Sequence, residues 1–83
     1  MAAQFSQMPT LGEFIARARV YGYTRHVIHI PELRAKIVYL RRGHGRAANL
    51  VDLPPMREGD RLSRAALVSL CAAAGIPTED FGV

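Results

Sequence analysis

Apolar positions along this chain change their period at residue 23, and the change divides it into elements. Leu11, Phe14, Ile15, Ala18 and Tyr21 recur at helical spacing and form one stripe, with Arg17 and Arg19 lying off it. Ahead of the stripe, Thr10-Leu11-Gly12-Glu13 has capping-box spacing: the Thr10 hydroxyl can accept from the Glu13 amide while the Glu13 carboxylate reaches back. Gly22 suits a left-handed stop, so the pattern predicts a helix over 10–21. From Tyr23 to Ile30 the residues are β-branched, aromatic and alternating, which predicts a strand that ends at the turn signal Pro31-Glu32. A second strand is expected over 33–42, where Ala35, Ile37 and Tyr39 alternate with Arg34, Lys36 and Val38. Gly43-His44-Gly45 breaks the pattern again, and a third strand over 48–53 is stopped by Pro54-Pro55, which cannot continue a ladder.

Beyond a polar loop, Arg57-Glu58-Gly59-Asp60, the period returns to that of a helix. Ser63 is a plausible N-cap for residues 64–74, with Ala66, Leu67, Leu70, Cys71 and Ala74 on the inner stripe. Gly75 stands at the stop position, Ile76 is placed to pack back on Cys71, and Pro77 prevents continuation. Thr78 to Phe81 suggests one further turn that tucks Phe81 onto the core. Short connections favour an antiparallel meander. The expected fold class is therefore α+β, in the order α-β-β-β-α, with a three-stranded antiparallel sheet, two helices on one face and the other face open.

Composition narrows what such a domain can be. At 83 residues the chain holds a single domain, 1–83, with 1–8 expected as a loose end. One cysteine, Cys71, excludes an internal disulfide and reads as inert packing on the inner helical stripe. No apolar run approaches the roughly 18 residues of a membrane span, and Met1 to Met8 lacks the basic-then-apolar form of a secretory signal, so a cytoplasmic protein with no membrane partner is expected. The charge is the distinctive property. Eleven Lys+Arg face seven Asp+Glu for a net +4, and every cation but Lys36 is Arg, whose planar fork fits phosphate.

Candidate chemistry gathers around the histidines. Arg41-Arg42-Gly43-His44-Gly45-Arg46 makes a dense basic turn, and glycine lets a backbone approach phosphate closely. An imidazole can take the ribose 2′-OH proton and guanidinium groups can hold the phosphorane charge, so this turn could cleave RNA, although a solvated hairpin tip is the commoner meaning of so short a motif. His29 shares a strand face with Val27 and Arg25, whereas His26 shares one with Ile28 and Ile30. Residues 26, 29 and 44 place no two histidines on one helix face, so no metal site and no cofactor are expected. Arg25, Arg34 and Lys36 are expected as a basic stripe on the open sheet face, either gripping an RNA backbone or only solvating the sheet, and Tyr23 and Tyr39 could stack on bases. Glu58, Asp60, Glu79 and Asp80 read as loop solvation and capping.

The last third of the chain resembles a known family. Val51-Asp52-Leu53-Pro54, a polar loop, a helix, and Ala74-Gly75-Ile76-Pro77-Thr78-Glu79-Asp80-Phe81 are similar to the C-terminal half of HicA (YcfA-like) toxins, and the first helix followed by Gly22-Tyr23 resembles that family's opening. The resemblance implies a fold like that of double-stranded-RNA-binding domains, an mRNA-cleaving activity and an acidic antitoxin as partner. The family's chemistry rests on one His of a Gly-His motif near the start of the second strand. Here the one Gly-His dipeptide is Gly43-His44, in the turn before the third strand, while His29 stands at the topological address, so both remain candidates for the base. Arg64-Ala65 replaces the family's Gly-Thr, and Pro55-Met56 stands where a His would follow the Pro. Three functions stay open: a ribonuclease toxin with Arg41, Arg42 and Arg46 (and Arg34 and Lys36) on the RNA, a non-catalytic nucleic-acid-binding module, or a protein-interaction domain.

Overall fold

The fold is described by a computed structural model over residues 7–83. It has the expected order: α1 (Leu11–Val20), β1 (Thr24–Ile30), β2 (Ala35–Arg42), β3 (Asn49–Asp52) and α2 (Arg64–Ala74), with short 3-10 turns at Pro31–Leu33, Gly45–Ala47 and Thr78–Phe81. Both helices start as their caps dictate. Thr10 and Glu13 close the capping box at 3.1 and 2.7 Å, and the Ser63 hydroxyl accepts from the Ala66 amide at 3.1 Å. Gly75, at φ 71°, ends α2 in the left-handed conformation, and the Ile76 amide returns to the Cys71 carbonyl.

The strands form one antiparallel sheet in the order β1-β2-β3. Thr24 to Ile30 pair with Arg41 back to Ala35, and Tyr39 to Arg42 pair with Asp52 back to Asn49. Partners in antiparallel strands share a face. Arg25, Leu40 and Val51 therefore lie on one face, and Leu40 and Val51 are buried there with Phe14, Ile15, Leu67, Leu70 and Cys71 from the helices. The opposite face carries Thr24, His26, Ile28, Ile37, Tyr39, Arg41, Leu50 and Asp52, among which Ile28, Ile37 and Leu50 stay exposed. β3 covers only the inner half of β2. The outer half of the β1–β2 hairpin extends past it, with Val27, Ile28, Leu33 and Ile37 all exposed.

Three details differ from the sequence pattern. Tyr23 precedes β1 and is a core residue, 1% exposed, whose hydroxyl donates to the Ala74 carbonyl at 2.7 Å and accepts from Asn49 at 2.6 Å, so it cannot stack on a base. Leu33 and Arg34 belong to the turn, not to β2, because Pro31 opens a 3-10 turn that closes when the Arg34 amide meets the Pro31 carbonyl. Of the loose end expected over 1–8, positions 1–6 lie outside the described residues, while Met8 packs against the core and its carbonyl accepts from Arg61.

Candidate nucleic-acid interface

The outer end of the hairpin brings together three of the sequence candidates. His29 pairs with Lys36 across the β1–β2 ladder, so both side chains leave the same face at the start of β2. Arg34 precedes β2 with φ 49° and ψ 40°, the one non-glycine residue with positive φ among those described. That conformation costs an arginine roughly 1–2 kcal/mol. It turns the chain sharply at Pro31–Leu33, and His29, Arg34 and Lys36 line one shallow cleft with Ile30, Pro31 and Ala35, of about 450 Å³. Two cations flank one imidazole there, a set able to receive a phosphodiester and hold a proton beside it.

The expected basic stripe on the open face does not form. Because Arg25 pairs with Leu40, and Lys36 lies an even number of residues from Leu40, both point to the helix side of the sheet. Arg25 is further engaged by Glu58, whose carboxylate sits 3.3 Å away. The two line an open groove of about 890 Å³ between the hairpin and the loop carrying Leu53, Pro54, Met56 and Arg57. Glu58 is thus a partner for β1, a role beyond loop solvation.

At the other end of β2 the basic turn is exposed but divided. Strand alternation sends Arg41 and Arg42 to opposite faces. Arg42 is held over the Tyr23 ring, 4.7 Å from its centroid, and donates to the Tyr21 carbonyl at 3.3 Å, so its charge serves packing. Arg41 lies on the open face near Gly45, Ala48 and Leu50. His44 and Arg46 are exposed, with Gly43 at φ 89° and Gly45 at φ 60° on either side of His44. From Lys36 to Arg42 the strand rises about 20 Å, so His29 and His44 belong to separate places.

A feature that the spacing did not single out lies on the open face. The His26 ring stacks on Tyr39, with centroids 5.3 Å apart and planes 20° apart, and its Nε2 is 2.8 Å from the Thr24 hydroxyl. The alternation put His26 with Ile28 and Ile30, and only the register could add Tyr39 to that face. Cys71 is buried, and desolvation with a smaller contribution from the Asp80 charge pushes its thiol up, which keeps it protonated and inert. Among the described residues no three of His, Cys, Asp and Glu gather closely enough to hold a metal ion, and no helix is long and apolar enough to cross a membrane. Comparison with family models, with curated proteins and with solved structures finds no match to this chain.

Proposed function

We propose that the chain is a HicA-like ribonuclease of a toxin–antitoxin pair, acting on mRNA in the cytoplasm at the outer end of the β1–β2 hairpin. The observation that carries this reading is the pairing of His29 with Lys36, with Arg34 lining the same cleft. His29 takes the proton of a ribose 2′-OH as general base, and the freed oxygen attacks the adjacent phosphorus. The bond to the 5′-oxygen breaks, leaving a 2′,3′-cyclic phosphate, and the departing oxygen collects the proton that His29 holds. Lys36 and Arg34 stabilise the charge that grows on the phosphoryl oxygens. No metal is needed for these steps. Arg46 and Arg41, exposed or half-exposed at the far end of β2, lengthen the electrostatic footprint on the same strand of RNA. An acidic antitoxin fits the surplus of cations, +4 overall.

The test is cleavage and binding of a labelled single-stranded RNA by the wild type, His29→Ala, His44→Ala and Arg34→Gly. His29→Ala should abolish product while leaving affinity within about threefold, and His44→Ala should still cut. Arg34→Gly relaxes the left-handed backbone while deleting the cation, so weaker binding with undiminished stability identifies a lost phosphate contact, with the salt slope falling by about 0.7. Cleavage lost with His44→Ala and kept with His29→Ala would move the chemistry to the basic turn. Salt-sensitive binding with no product from any form would leave a non-catalytic RNA-binding module.

A further inference from the structure

The outer edge of β1 carries backbone groups that nothing in the described fold pairs. The Leu53 amide donates to the Val38 carbonyl, so the even-numbered residues of β2 aim their backbone groups at β3 and the odd-numbered ones at β1. Ile37 pairs with Ile28 and Tyr39 with His26, which commits the even-numbered residues of β1 to β2. Arg25, Val27 and His29 are left with amide and carbonyl pointing outward. The pairing of β1 runs unbroken from Thr24 to Ile30, and no lysine, proline or bulge, the usual protections of an exposed edge, interrupts it.

We propose that this edge joins the same edge of a second copy of the chain, antiparallel about a two-fold axis at Val27, giving a six-stranded sheet. The limits of the strand select that register. Pro31 has no amide to give, and Tyr23 is buried in the core at the other end. Placing Val27 opposite its own copy uses all three outward residues on both chains, six hydrogen bonds in all, whereas any shifted register uses fewer. The side chains agree with it. Val27, 36% exposed, meets Val27 of the other copy, and Ile28, 48% exposed, meets the other copy's His26 on the open face. Arg25 is the one formally charged side chain in β1, and Glu58, 3.3 Å away, offsets it. His29 of the second copy stands opposite Arg25, whose charge Glu58 already offsets, so the pairing sets no unpaired charge of β1 against its copy. The contact is smaller than the roughly 1,600 Å² of a standard interface, which makes the dimer weak and dependent on concentration.

Sedimentation equilibrium of the full chain from micromolar to millimolar concentration tests this, alongside Val27→Pro and Val27→Glu. The wild-type mass should climb from 9.1 kDa towards twice that value. The Val27 amide faces away from β2, so proline there removes none of the chain's own ladder bonds but two of the six at the edge, and the glutamate variant sets two carboxylates against each other. Both variants should stay monomeric while their circular dichroism matches the wild type, and the glutamate variant decides the matter if the proline variant fails to fold. A wild type that holds 9.1 kDa throughout, or a folded variant that associates as the wild type does, overturns the proposal. Association of the edge only with an added foreign strand would also overturn it.

Discussion

Asp80 is where a single side chain does most to hold the two ends of the fold together. Its carboxylate accepts from the Tyr21 hydroxyl at 2.5 Å and lies 3.7 Å from the Arg17 guanidinium, both on the first helix or its cap. The hydrogen bond to Asp80, with lesser help from burial and from the Asp80 charge, raises the Tyr21 phenol above its ordinary 10.0, against an opposing pull from Arg17. A group raised on folding contributes in full below its unfolded value and loses that contribution as pH climbs through the folded one. The urea midpoint should therefore fall on the alkaline side from about pH 10 upward, and Tyr21→Phe should fall less steeply there than the wild type, which a pH series of denaturation curves will read. Nothing in the spacing of Asp80 announced this role, because its partners are 59 and more residues away in sequence. The same limit hid Glu58 behind Arg25. By contrast, the buried fate of Cys71 followed from its place on the helical stripe.

At the scale of elements, the helix ends were legible because their signals are local. Thr10, Glu13, Ser63 and Gly75 each act within four residues of where they stand. The capping box gives a direct check: Thr10→Ala should destabilise the fold by about 1 kcal/mol, and Thr10→Ser should restore most of it, measured by chemical denaturation. The strands were legible as elements but not in their assembly. Alternation correctly set His29 with Arg25 and apart from His26, yet it carries no information on which face the helices take. That choice follows from the register that puts Leu40 and Val51 together, and it moved Arg25 and Lys36 off the open face. Tyr23 looked like a strand residue for its aromatic ring. The fold uses it instead as a buried post whose hydroxyl joins Asn49 to the end of α2. Of the candidate site, His29 and the cations were visible one by one, and only the 3-10 turn at Pro31–Leu33 brought Arg34 round to them.

For the whole molecule, one small core carries nearly all of the stability. A chain of 83 residues is worth about 4–12 kcal/mol at the usual 0.05–0.15 kcal/mol per residue. Leu67 of α2 is fully buried in that core. Leu67→Ala should cost about 2–5 kcal/mol, enough to leave a measurable unfolded fraction at 37 °C by circular dichroism or proteolysis. The hairpin that carries His29 lies mostly outside this core, with Val27, Ile28 and Ile37 exposed, so substitutions at its exposed positions leave the core packing intact. The C-terminal turn has the opposite position. Phe81 stacks on Phe14 at 5.7 Å while Asp80 holds Tyr21, so α1 is finished by residues some sixty positions downstream. The packing around α1 is completed only when residues 78–81 fold back onto it, although Leu40, Val51 and Leu67 already share its core. Closure of the fold therefore joins α1 to the turn at 78–81, so the native packing of the first helix is a long-range event and not a local one.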